Sequence, residues 1–153
     1  MRLTTYTDFG LRTLIYLALL PRDQKTSIAE VSAHYQVSRN HMVKVIHQLA
    51  KLGYVSSTRG KGGGIRLGMP ADEICVGDVV RALENALDGI DCNSPACCLT
   101  PSCRLKGVLK KAVNAFLAVL DEYTLAELIV NRDDLIPLLW KDGLPGKEVS
   151  TES

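Results

Sequence analysis

The stretch Ser38-Arg39-Asn40-His41-Met42-Val43-Lys44-Val45-Ile46-His47-Gln48-Leu49-Ala50-Lys51 decides the fold. Met42, Val43, Ile46, Leu49 and Ala50 recur at helical spacing, and Ser38 stands where a helix cap belongs. Asn40, His41, Lys44, His47, Gln48 and Lys51 form a second stripe, and none of them is acidic. An ordinary solvated helix carries both charge signs along its wet face. Just upstream, Ser27-Ile28-Ala29-Glu30 spells a capping box, and Ile28, Val31 and Tyr35 continue one apolar side. A short break at Gln36-Val37 separates the two segments, which predicts a helix-turn-helix with its second helix in the major groove. On that reading Ser38 and Arg39 start the reading helix, and Asn40 pairs with adenine. Lys44 and His41 donate to guanine, and Lys51 meets phosphate.

The neighbouring segments support the same plan. Tyr54-Val55-Ser56-Ser57 and Ile65-Arg66-Leu67 flank Thr58-Arg59-Gly60-Lys61-Gly62-Gly63-Gly64, two short strands around a glycine-rich basic tip. No lysine followed by serine or threonine completes a phosphate-loop pattern there. The hairpin is therefore expected to be a wing, with Arg59 entering the minor groove and Lys61 on phosphate. Upstream, Thr5 caps a first helix with Asp8 three residues on. Leu11, Leu14, Ile15 and Ala18 mark its apolar side, and Pro21 ends it. The expected fold class is mostly α: a winged helix-turn-helix domain with a two-stranded wing, plus a long dimerisation helix.

Charge distribution agrees. The 153-residue chain has net charge +1, yet no acidic residue lies between Glu30 and Asp72. That window carries +6 and the remainder −5, so one basic face sits on an otherwise acidic molecule, the footprint of a polyanion binder. No apolar run reaches membrane-spanning length and none resembles a signal peptide, so a cytoplasmic protein without a membrane partner is expected. No nucleophile has an evident base beside it, so the chain is not expected to be an enzyme.

The other half turns on sulfur. Cys92, Cys97, Cys98 and Cys103 fall within twelve residues, in a stretch that also holds Pro95 and Pro101. Clustered thiols in a reducing compartment suit a soft metal, and a loop can fold around it. Paired CxxC elements of a zinc ribbon are missing. The spacing Cys92-x4-Cys97-x5-Cys103 has the wider reach of an iron–sulfur cluster site. Cys75, alone among apolar neighbours in a helix expected from Asp72 to Glu84, reads as a small core residue. After Cys103, Leu105, Leu109, Ala112, Phe116, Val119 and Tyr123 step by four and three. This is a heptad seam for a homodimer on palindromic double-stranded operator DNA. Short helices are expected at Thr124–Glu127 and Asp133–Trp140. The division reads as 1–87 for DNA binding, 88–103 for the cysteine loop, 104–142 for the dimerisation and carboxy-terminal helices, and 143–153 as a disordered tail.

These motifs bring a resemblance into view. Thr7-Asp8-Phe9-Gly10-Leu11-Arg12, Val37 to Lys44, Arg59 to Leu67 and the cysteine loop resemble the iron–sulfur winged-helix repressors that include IscR. Within that group they are most similar to the nitric oxide-sensitive branch, over Met1 to about Trp140. The resemblance implies a repressor of nitrosative-stress defence genes that holds a two-iron (2Fe-2S) or four-iron (4Fe-4S) cluster and leaves DNA when nitric oxide attacks it. It implies Cys92, Cys97 and Cys103 as ligands, with Cys98 able to replace Cys97, and Asp8 as a fourth ligand supplied across the dimer. Alternatives are a sensor of iron–sulfur supply, a zinc-bound repressor, or, in another class, a thiol-redox or electron-transfer protein.

Overall fold

The computed structural model describes residues 1–145. Six helices and one two-stranded antiparallel sheet make a winged-helix fold among these residues: α1 Thr5–Leu19, α2 Ile28–Tyr35, α3 Arg39–Lys51, β1 Val55–Thr58, β2 Gly64–Leu67, α4 Val76–Leu83, α5 Arg104–Asp121 and α6 Arg132–Leu139. Single 3₁₀ turns occupy Ala71–Glu73, Thr100–Ser102 and Glu127–Ile129.

Each helix of the reading head begins where its cap dictates. Ser27 and Glu30 form a complete reciprocal capping box, with backbone-to-side-chain distances of 3.0 and 3.1 Å. The α2 helix closes on Gln36 in the left-handed region (φ 53°), and Ser38 then accepts from the His41 amide to start α3. The cap of α1 is Thr4, one residue before the expected Thr5. A distant group decides this: the Glu84 carboxylate accepts from the Thr4 amide (2.9 Å), the Thr4 hydroxyl (3.0 Å) and the Thr7 hydroxyl (2.8 Å). Burial raises the Glu84 pKa, but these hydrogen bonds outweigh it and hold the carboxyl below its usual range.

The head closes around α1. Leu14, Leu19, Val31, Met42, Val45, Leu49, Ile65 and Leu125 are all buried there. Each such side chain contributes about 1.5–3 kcal/mol on removal from water. Gly10 lets α4 approach α1, since a Cβ there would run into the Leu83 side chain. The sheet pairs Val55 with Leu67 through Thr58 with Gly64. Thr26 adds a bridge on the free side of β2, exchanging both backbone bonds with Ile65 at 2.8 and 3.0 Å.

Three expectations change. The helix expected over 72–84 is broken, because the Ile74 carbonyl accepts from the Leu125 amide (2.8 Å) and the Val76 amide donates to the Tyr123 carbonyl (2.9 Å). That short ladder holds Cys75 extended as the α4 cap, half-buried rather than in the core. The short helix at Thr124 is only a 3₁₀ turn over Glu127–Ile129, and Thr124 and Glu127 exchange reciprocal bonds just ahead of it. The carboxy-terminal segment, grouped by sequence with the dimerisation helix, packs on the reading head. Leu125, Ile129 and Trp140 join its core, and Leu144 rests against it. Arg132 donates to the Ala18 and Leu19 carbonyls at 3.5 and 3.0 Å, satisfying acceptors that the end of α1 leaves open. The tail expected from 143 falls, beyond residue 145, outside the described residues.

Helix α5 leans on the head through a smaller cluster. Val113 and Leu117 pack with Val80, and Leu3, Leu11, Leu87, Phe116 and Leu120 surround them. Arg81 also grips Asp121 through two parallel hydrogen bonds of 2.6 Å, joining α4 to the end of α5.

Candidate nucleic-acid interface and cysteine loop

The α3 helix buries Met42, Val45, Ile46 and Leu49 and turns Arg39, Asn40, Lys44, His47 and Lys51 to solvent. Ser38 is exposed, but its hydroxyl is committed to the cap. Gln48 is half-buried. His41 departs from the stripe expected of it. Its ring lies edge-on to Phe9 (5.8 Å) and Tyr6 (6.4 Å), and its buried Nε2 has no hydrogen-bond partner. Val43, expected on the apolar side, is 41% exposed. The Tyr6 hydroxyl donates to the Lys44 carbonyl at 3.2 Å, so the first turn of α1 props the first half of the reading helix.

At the wing tip Arg59 and Lys61 are both exposed. Gly60 (φ 90°) and Gly62 (φ 74°) carry the turn, and a Cβ on Gly63 would strike the Thr58 carbonyl. The sequence reading missed Lys25. Its ammonium donates to the Gly62 carbonyl and the Thr58 hydroxyl, both at 3.4 Å, adding a cation to the base of the wing. Lys25 precedes Glu30 and so fell outside the acid-free window, and only the Thr26–Ile65 bridge reveals its place.

All four loop cysteines are free thiols; Cys92 and Cys103 are half-buried, Cys97 and Cys98 exposed. A turn closed by the Cys97 amide on the Cys92 carbonyl (3.0 Å) sets the first two ligand candidates close along the chain. The Thr100 hydroxyl then bonds the Cys97 carbonyl at 2.8 Å. Cys103 is the cap residue of α5, and no side chain claims the amides of that first turn, which holds no acidic residue. The donor set thus fits an iron–sulfur group chemically: soft, unbonded, accessible sulfur on a short loop at a positive helix end.

The loop sulfurs are not pre-gathered. Among the described residues, the one trio of ligand atoms within 4.8 Å is Cys75, Asp78 and Asp121, and there Arg81 already answers both carboxylates. Asp8 lies in the first turn of α1, paired with Arg12 Nε at 2.8 Å, and is not assembled with the loop cysteines in such a trio. Metal sites often form only as the ligand folds its loop, so this separation is no obstacle to binding.

The α5 seam divides. Leu105 (55%), Val119 (55%) and Tyr123 (45%) are exposed as expected for an interface, and Ala112 is exposed with them. Leu109 and Phe116 are half-buried beside an open groove of about 980 Å³ that also reaches Cys92. Val108, outside the expected seam, is 60% exposed.

Comparison with known proteins agrees with this geometry. The Rrf2 family profile, described as an iron-dependent transcriptional regulator, matches residues 3–131. Among solved structures, the chain is similar to CymR of Staphylococcus aureus (27% identity, 83% of this chain and 97% of that one, TM-score 0.68). It is also similar to CymR of B. subtilis, the global cysteine regulator (26%, 84% and 95%, TM-score 0.65). IscR of T. potens matches with 26% identity over 88% of this chain and 90% of that one, TM-score 0.70. No helix among the described residues is long and apolar enough to cross a membrane. Rrf2 proteins are transcription regulators, not enzymes, and they bind operator DNA, typically as dimers. A winged-helix reading head, a basic reading helix and a profile match over most of its length establish that the chain belongs to the Rrf2 family of transcriptional regulators.

Proposed function

We propose that this chain is a homodimeric, iron–sulfur-dependent repressor of the nitric oxide-sensitive NsrR type. The observation that carries the reading is the placement of Cys92, Cys97 and Cys103 on one surface loop. That loop is rooted at Glu84, which grips the first turn of α1, and ends as the cap of α5. These three thiols, with Cys98 adjoining Cys97, would hold the cluster, and the partner subunit would supply the Asp8 carboxylate. The Asp8–Arg12 pair is about half exposed, and such pairs contribute at most about 1 kcal/mol, so the carboxylate is released cheaply. When bound, the group supplies iron open to a diatomic ligand such as nitric oxide.

The chain's own residues do the rest. Asn40 and Lys44 face base edges, Arg39 and Lys51 meet phosphates, Arg59 enters the minor groove and Lys61 flanks it. Leu105, Ala112, Val119 and Tyr123 pair the subunits across palindromic DNA. A second reading, a thiol-responsive regulator of cysteine supply, draws on the exposure of Cys97 and Cys98 and on the CymR likeness.

Anaerobically purified protein should carry iron and sulfide with visible absorbance. Filter binding to its operator should weaken sharply after nitric oxide, and Cys97→Ser should lose both absorbance and response. Protein devoid of iron whose DNA binding follows thiol oxidation would replace this reading with the second one.

A further inference from the structure

We propose that Val43 reads the 5-methyl group of a thymine in the major groove, while His41 is a positioning residue that seats the reading helix on α1. The inference rests on the DNA-reading assignment and deepens it; it does not depend on the iron–sulfur group.

Polarity alone places His41 outward and Val43 inward, and the structure exchanges them. The His41 imidazole packs edge-on against Phe9 and Tyr6, and its Nε2 is cut off from solvent with no partner. A nitrogen so enclosed is not presented to a groove. An imidazole has an apolar body, and here that body fills the space between two aromatic rings of α1. Val43 instead stands 41% exposed, three residues after Asn40 and four before His47, on the stripe that also carries Lys44. Of the groups that base pairs present in the major groove, the thymine methyl is the one that calls for an apolar partner. A β-branched side chain on a helix is held in one rotamer, so Val43 meets that methyl without losing further freedom. Its neighbour Asn40 suits adenine, so the two together select A·T pairs at adjacent steps.

The test uses the anaerobically purified full-length protein and duplexes that it enriches itself from a random-sequence library. Single thymine-to-uracil replacements then remove the 5-methyl group and nothing else. One thymine per half-site should lose about fourfold in affinity on replacement, the worth of one buried methyl. Val43→Ala should bind the thymine and uracil duplexes alike. His41→Phe, or His41→Leu should the first fail to fold, should keep the wild-type base preferences at every position. A bound duplex indifferent to every thymine replacement, or an undiminished penalty in Val43→Ala, overturns the Val43 assignment. Loss of preference at a single base pair in the His41 variants returns His41 to base reading. Failure of the library to enrich any sequence is a different result, and it sinks the DNA-reading assignment itself.

Discussion

Leu14, Val45 and Leu49 are wholly enclosed in the reading head, whereas the arm that carries the loop cysteines rests on Val80, Val113 and Leu117. The head draws on both ends of the chain, from Tyr6 in the first helix to Trp140 after the last. The arm leaves Leu105, Val108, Val119 and Tyr123 in solvent. A core packed to this degree fixes one arrangement before any ligand arrives, while a thinly supported helix and an exposed loop leave theirs to be set by what binds. The division suits a regulator: the winged-helix head is fixed by its own core, and the arm, on the proposed reading, is the part left free to respond.

Truncation should expose the difference most strongly. Leu14→Ala should cost about 2–5 kcal/mol in urea denaturation followed by circular dichroism. Leu105→Ala should change that curve by less than about 0.5 kcal/mol while weakening subunit association. Equal losses would mean that the arm is as firmly built as the head.

An intermediate effect is expected at the joint. Glu84→Gln should cost about 1.5 kcal/mol, the order expected for hydrogen bonds to a charged group. Glu84 and Glu30 both titrate below their usual 4.5 in the folded protein, Glu30 chiefly through its bond from Thr26. Their stabilisation is therefore complete above the unfolded value and fades as pH falls through it toward the folded one. Glu84→Gln should flatten that acid limb, and an unchanged pH profile would remove Glu84 as a source of acid sensitivity.

The smallest effect on folding is expected at Asp8. Asp8→Ala should lower stability by less than about 1 kcal/mol, because its pair with Arg12 is largely solvated. The same variant should hold iron less tightly after anaerobic loading, as metal analysis would show. A large folding penalty would mark Asp8 as a structural residue and weaken its assignment as a ligand.

Much of the reading head was legible in the sequence. The Ser27–Glu30 box, the Ser38 cap and the glycine-rich wing stand where local chemistry put them, because each is satisfied within a few residues. The features that escaped depend on partners far along the chain. Glu84 shifts the first cap to Thr4, the strand-like pairing of residues 74–76 with 123–125 breaks an expected helix, and Arg132 finishes α1. Polarity failed at His41 and Val43 because two aromatic rings of α1 offered the imidazole a better place than water. The residues of the expected heptad seam differ in exposure for a similar reason. Phe116 packs into the cluster of its own chain and Leu109 lines the open groove beside it, while Leu105, Val119 and Tyr123 stay exposed.

Trp140 is the chain's one tryptophan, and its ring lies tilted against Tyr16 (centroids 4.8 Å apart) and edge-on to His34 (5.9 Å). Its intrinsic fluorescence will therefore track the head and say little about the arm. An experimenter who follows unfolding by emission alone would miss any loosening confined to the cysteine loop.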